Sequence, residues 1–287
     1  MMAGLNYQVR DSIGYIELSR PERSNALDLS TLELMDEAVA SAAGDDGVKA
    51  LVFHGAGKGF CSGYDLHPSG QINVKHQSVL QDWARLQRNN ERWERIFSFP
   101  KPTLAKVHGY AVAGGLELAM ACDLVVATTT ARFGHPPLRA LGTPPFMIFG
   151  QTLGHRDMRE MLFTGNSVPG SQAQLRGWIT RAVSEEQLDA ETEKILSALR
   201  AMPLENLLLL KRLILRADMV TGGPAVRGMG VEFDAIAHRT QAAGAFWDSV
   251  DDLGLREALK RRDAPFREWD YVRPSLSSGP LSPGEGE

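Results

Sequence analysis

Cysteine is scarce: Cys61 and Cys122 are the only two in 287 residues. They make no disulfide framework and suit a reduced, cytoplasmic setting. No apolar run is long enough to span a membrane, and no basic segment leads into an apolar one at the start, so neither insertion nor export is expected. The formal charge of -4 and the scatter of Lys and Arg leave no basic stripe for nucleic acid. Metal-ligand spacing, a dinucleotide fingerprint and a phosphate-loop lysine are all missing, and the glycine run from Gly55 to Gly63 lacks the G-K-[ST] ending of a P-loop. The expectation is a chain without metal or redox cofactor.

What the chain does have is enough apolar residue, 43%, to bury a full core without staples. Its pattern alternates strand and helix, which suggests a crossover-rich α/β layout. Tyr7 to Arg10 and Ile13 to Ser19 read as a hairpin turning at Asp11-Ser12. Asp28 or Ser30 caps a helix running to about Ala43, with Leu32, Met35 and Val39 on one face. A second helix is expected from about Ser78 to Phe99, its Trp83, Leu86 and Trp93 forming core or pocket wall. Between them, Leu66 to Ser78 reads as a polar loop carrying His67 and His76, solvated residues or pocket acids and bases.

The organising stretch is KPTLAKVHGYAVAGGLELAMACDLVVA, Lys101 to Ala127. It predicts a buried strand over Thr103 to Val107, a glycine-bearing connection, and a helix starting near Gly114. Glycines let a backbone approach a ligand and aim bare N–H groups at it, and a helix N-terminus favours negative charge there. Glu117 is the one carboxylate in an otherwise apolar helix. Burying it is costly unless it is hydrogen-bonded or protonated. By itself it reads equally as a first-turn acid stabilised by the helix dipole.

An ordered set of motifs decides between these. RPERSNALD at Arg20 to Asp28, GFCSGYDL at Gly59 to Leu66, AGGLELAMACD at Ala113 to Asp123, RFGHPP at Arg132 to Pro137, LFTGNSV at Leu162 to Val168 and ALKRRDAPF at Ala258 to Phe266 follow one another along the chain. Together they resemble the crotonase superfamily, the enoyl-CoA hydratase/isomerase family, from about Tyr7 to Phe266. The resemblance implies a superhelix of ββα turns with a C-terminal helical region, acting on an acyl-CoA thioester that is substrate rather than cofactor.

By matching positions, the resemblance implies that the N–H groups of Tyr64 and Gly114 form an oxyanion hole, where side chains matter little, and that Glu117 is an acid/base. The coenzyme A groove would involve Arg23, Ser24, Ala26, Cys61, Ser62, Gly63, Asp65 and Leu66. Phosphate contacts are expected from Arg23 and from Lys260 to Arg262, the latter also readable as a helix C-terminus favouring cations. One position departs from the pattern. Family hydratases carry a second glutamate in FG-x-P-E, whereas Phe133-Gly134-His135-Pro136 is followed here by Pro137. Three readings stay open: Glu117 alone moves a double bond, His135 or Arg139 completes the site for another acyl-CoA reaction, or the chain binds acyl-CoA with little catalysis.

The remaining helices are expected near Phe146, over His155 to Leu162 and Ser171 to Gly177, and in the tail over Glu185 to Ala201, Leu204 to Leu215, Gly222 to Ala243 and Ala245 to Arg262. Residues 1–200 would form the core and 201–270 a helical oligomerisation region, which the resemblance assigns to a homotrimer or hexamer. Residues 271–287, rich in Pro, Ser, Gly and Glu, read as a disordered tail.

Overall fold

The computed structural model describes residues 4–67 and 77–267, so the expected tail at 271–287 and most of the polar loop, with His76, lie outside the described residues. The chain opens with a hairpin, β1 (Leu5–Arg10) and β2 (Ile13–Leu18). Asp11 and Ser12 turn it with φ of 47° and 63°. Positive φ at both central residues matches the twist of a two-residue hairpin. Next, α1 (Leu29–Gly44) starts at Asp28, whose carboxylate accepts the Thr31 N–H at 2.8 Å.

After β3 (Ala50–Gly55) and the glycine loop comes α2 (Val79–Phe97), opened by a reciprocal capping box between Ser78 and Gln81. The central stretch folds as β4 (Thr103–Val107), β5 (Tyr110–Val112), α3 (Gly114–Ala121), β6 (Leu124–Thr128) and β7 (Arg132–Gly134). Then follow α4 (Phe149–Thr152), α5 (His155–Thr164), β8 (Ser167–Pro169), α6 (Gly170–Leu175) and β9 (Arg181–Val183). The rest is helical: α7 (Leu188–Ala201), α8 (Leu204–Val220), α9 (Gly223–Gly228), α10 (Gly230–Ala237), α11 (Gln241–Leu253) and α12 (Leu255–Asp263).

The larger sheet has the order β1-β2-β3-β4-β6-β9, parallel after its first pair. A smaller sheet, β5-β7-β8, stands beside it. Thus β4 turns into β5 before α3, and β6 turns into β7. These are the expected ββα turns. The parallel strands are buried on both faces, which is why Ala50 to Phe53 and Leu104 to Val107 read as nearly continuous apolar runs.

Three expectations for the C-terminal half are corrected. Near Phe146 only the single turn of α4 forms, because Pro144 and Pro145 keep the preceding backbone extended. The expected helix over Gly222 to Ala243 is divided among α9, α10 and the first turn of α11, with Thr240 capping the last by accepting the Ala243 N–H at 3.3 Å. Gly254, at φ 79°, splits the expected Ala245 to Arg262 helix into α11 and α12. The three-residue strands β5 and β8 were too short for periodicity to show.

The helical region packs on the core. Lys211 of α8 reaches Asp123 at 2.5 Å, and Val231 and Ala235 of α10 bury against Leu86 of α2. On its outer side α8 exposes Leu209, Leu213 and Val220. Among the described residues no helix is long and apolar enough to cross a membrane.

What positions the site is the meeting of two loops. A Cβ on Gly115 would stand 2.4 Å from the Cys61 carbonyl oxygen, and one on Gly63 would stand 3.0 Å from the Gly114 nitrogen. Nothing larger than hydrogen fits between them. Gly115→Ala is therefore expected to cost about 1–3 kcal/mol through overpacking against backbone. Gly44→Ala, with nothing within 4 Å of the added Cβ, should be neutral or slightly stabilising. Urea midpoints of the two variants check the contrast.

Candidate active site

Tyr64 sits in an isolated parallel bridge with Leu27. Leu27 bonds to the flanking residues, its N–H to the Gly63 carbonyl at 2.8 Å and its carbonyl from the Asp65 N–H at 3.0 Å. The Tyr64 N–H consequently faces away from Leu27 and bonds to no acceptor among the described residues, and Tyr64 lines a cavity. Gly114 opens α3, so its N–H belongs to the first turn, which has no intrahelical acceptor. Ala113 before it adopts φ 54°, a left-handed conformation strained for a residue with a side chain. Both donors come from the two loops that glycine lets touch. This is the geometry of an anion-binding cradle.

Glu117 is fully buried one turn along α3. The Trp93 indole N–H of α2 lies 3.0 Å from its Oε2 and 3.0 Å from the Tyr64 hydroxyl. Its Oε1 is buried with no hydrogen bond, and the His135 Nε2 stands 3.5 Å away. Thus one carboxylate oxygen is held by Trp93, and the other accepts no hydrogen bond among the described residues. Burial and the neighbouring Glu117 push the Tyr64 phenol well above its ordinary pKa, so it remains a neutral hydroxyl.

The cavity is about 90 Å³. Tyr64, Gly114, Glu117, His135 and Pro137 line one side, and Arg85, Asp234 and His238 line the wall where α2 meets α10. Asp234 accepts the Thr143 N–H at 2.8 Å through Oδ1. Behind it, His238 Nδ1 lies 2.8 Å from Asp82, a fully buried carboxylate that also takes Arg85 at 2.6 Å.

Of the residues expected from sequence, Tyr64, Gly114, Glu117, Ser62 and Leu66 meet at this cavity. The others frame it. Cys61 is buried, its thiol donating to the Asn25 carbonyl at 3.2 Å, and burial pushes its pKa up to about 12. Asp65 is paired with Arg20 at 2.9 Å, and the same guanidinium donates to the Ala26 carbonyl at 2.6 Å, clamping the two loops together. Gly63, at φ 93°, makes the turn that aims the next N–H. Arg23 and Ser24 lie exposed beside this frame, and Arg261 is exposed on α12.

Two expectations change. Arg139 does not enter the cavity: it donates to the Thr164 carbonyl at 3.0 Å and pairs with Asp263 at 3.2 Å, tying the Pro137 turn to α12. The Tyr64 side chain is not indifferent, because its hydroxyl shares the Trp93 N–H with Glu117. Sequence reasoning reached Trp93 only as core or pocket wall and missed Asp234 and His238. Their signal was faint: Asp234 and His238 stand four apart in a mostly apolar segment, GVEFDAIAH, that also carries Glu232.

The sequence profile of the enoyl-CoA hydratase/isomerase family matches residues 8–218. A relative from Thermus thermophilus, provisionally named an enoyl-CoA hydratase, is 31% identical over 269 residues, covering 88% of this chain and 97% of its own. Among solved structures, an enoyl-CoA hydratase from Mycobacterium smegmatis superposes with a TM-score of 0.86 at 31% identity, covering 92% and 94% of the two chains. An enoyl-CoA hydratase/isomerase from Xanthobacter autotrophicus Py2 gives 0.87 at 32%, covering 93% and 99%.

Burial pushes the Asp234 carboxyl up from 3.8 to about 6, the nearby Glu117 adding to the rise while His238, Arg85 and the Thr143 N–H oppose it. A group whose folded pKa is raised binds more protons folded than unfolded between those values, so stability falls as pH rises through them. Between about pH 4 and pH 6 Asp234 should therefore cost stability progressively, by up to about 3 kcal/mol at 1.36 kcal/mol per unit. Asp234→Asn is expected to remove that slope. Urea unfolding of both proteins across this pH range measures it.

Proposed function

This chain belongs to the enoyl-CoA hydratase/isomerase family of the crotonase superfamily, and from that premise we propose that it moves the double bond of an enoyl-CoA thioester through an enolate. The observation that carries this reading is the buried Glu117 carboxylate at the cavity that Gly114 also lines, one oxygen tied to Trp93 and the other accepting no hydrogen bond among the described residues. Removing a proton from C2 of a 3-enoyl thioester places negative charge on the thioester oxygen. The Tyr64 and Gly114 N–H groups are the donors that receive it, each worth about 3 kcal/mol in a comparable oxyanion hole. Glu117 Oε1 takes the proton.

Migration is preferred over hydration because Pro137 stands where family hydratases carry their second glutamate and has no proton to give, so the other carboxylate at the cavity, Asp234, comes from α10 and not from the loop that steers water in those hydratases. His135, at 3.5 Å from Glu117, is placed to polarise that carboxylate. Coenzyme A enters as substrate, along the groove beside Ser62 and Leu66, with Arg23 at its phosphates. The exposed apolar side of α8 suits a subunit contact in a homotrimer or hexamer, and the reduced, buried cysteines suit the cytoplasm.

Glu117→Gln is the decisive variant. It should lower the conversion of 3-enoyl-CoA to 2-enoyl-CoA by about 10²–10⁴-fold, the usual worth of a positioned acid/base, with acyl-CoA binding by calorimetry nearly unchanged. Fast hydration of 2-enoyl-CoA that depends on Glu117 would overturn migration as the principal reaction. Unchanged turnover in the variant would remove the mechanism.

A further inference from the structure

Migration needs two proton transfers: one leaves C2 and another arrives at C4. One Glu117 oxygen is tied to Trp93, and Pro137, which lines the same cavity, carries no acid. A second carboxylate, Asp234, lines the same cavity. Asp234 Oδ1 is held by the Thr143 N–H at 2.8 Å, while Oδ2 accepts no hydrogen bond among the described residues. The side chain is 4% exposed and lines the same cavity as Glu117. Holding the Thr143 N–H alone would require only an amide oxygen. A buried acid is costly for that purpose.

The surroundings are built for this carboxyl. Gly142 leaves it room, since a Cβ there would fall 2.2 Å from Asp234 Oδ1 and 3.1 Å from His238 Nε2. His238 Nε2 lies 3.6 Å from the same oxygen, and its Nδ1 is 2.8 Å from Asp82, which Arg85 keeps charged. Asp82 is ionised: the His238 and Arg85 contacts hold its carboxyl below the usual range despite burial. Its negative charge fixes the Nδ1–H tautomer and leaves Nε2 to take up or release a proton. An Asp82–His238–Asp234 line therefore runs from the α2–α10 interface into the cavity.

We propose that Asp234 is the second proton carrier of the reaction, donating to C4 of the dienolate the proton that balances the one Glu117 removes from C2, with His238 passing a proton from water back to it and Asp82 as the positioning residue that orients His238. The proposal rests on the reading of Glu117 as the base at C2. In one turnover the C2–H bond breaks and its proton goes to Glu117 Oε1. The enolate's electron pair shifts to C4 and forms a bond to the Asp234 proton. Glu117 then releases its proton to water, and Asp234 regains one through His238. No oxidant, reductant or further reactant is consumed. This assigns the missing carboxylate of the Pro137 loop to the C-terminal helical region, a different element from the one where family hydratases carry it.

The two transfers separate experimentally. With 3-enoyl-CoA in deuterated water, C2 exchange reports enolate formation and 2-enoyl-CoA reports C4 protonation. Asp234→Asn should reduce product formation by about 100-fold while C2 exchange stays within about threefold, and Asp234→Glu should recover part of the product rate. His238→Gln should lower product formation by a smaller factor with exchange retained. Equal loss of both signals in Asp234→Asn, or loss of neither, overturns the proposal. So does product formation that survives in Asp234→Asn yet fails in His135→Gln with exchange intact, which would place the second carrier at His135. A wild-type enzyme that shows no C2 exchange overturns the Glu117 reading itself, and this inference with it.

Discussion

A carboxylate with no contact to water must be met by a donor, and at Glu117 that donor is the Trp93 indole N–H. The requirement reaches far into the fold. Trp93 is itself fully buried, so α2 must lie against α3 at the depth where the indole nitrogen reaches both Glu117 and the Tyr64 hydroxyl. Tyr64 is in turn held by its bridge to Leu27 and by the Arg20 clamp on Asp65 and Ala26. One hydrogen-bonding need thus connects the glycine loop, the central helix and the first long helix.

The second constraint is steric. Gly63, Gly114 and Gly115 bring two loops to contact distances that a Cβ would not tolerate, and the Tyr64 and Gly114 N–H groups, without an acceptor among the described residues, belong to residues that line one cavity. Their donors cost no rearrangement when charge develops. The C-terminal helices then supply the far wall. With α10 lying along α2, Asp234 and His238 line the cavity with the carboxylate of α3, and the buried Asp82 on α2 anchors His238. A region legible from sequence as an oligomerisation tail is also part of the pocket.

Some of this was legible residue by residue. Thr103 to Val107 read as a buried strand because a parallel strand covered on both faces has little that is polar to alternate, and Asp28 was one of two candidate caps, with Ser30, that announced the first helix. The motif order carried Tyr64, Gly114 and Glu117 into one site, since each position is specified by short-range backbone geometry. The roles of Cys61 and Asp65 were not legible as they stand. Both lie in the motif, yet their side chains turn inward to fasten loops, and only the packed fold shows which way a loop residue points. The helix breaks at Gly254 and around Arg239-Thr240 were obscured by apolar periodicity that runs through them.

What the sequence determined by itself is the α/β class, the two glycine loops and the lone carboxylate of an apolar helix, because these depend on residue type and on neighbours a few positions away, while the departure at Pro137 showed only against the family's motif. What only the tertiary structure decided is the company that carboxylate keeps. Trp93, His135, Asp234 and His238 come from segments far apart along the chain, and their meeting follows from how α2, α3 and α10 pack. Such contacts are set by the shape of the whole core rather than by any local pattern.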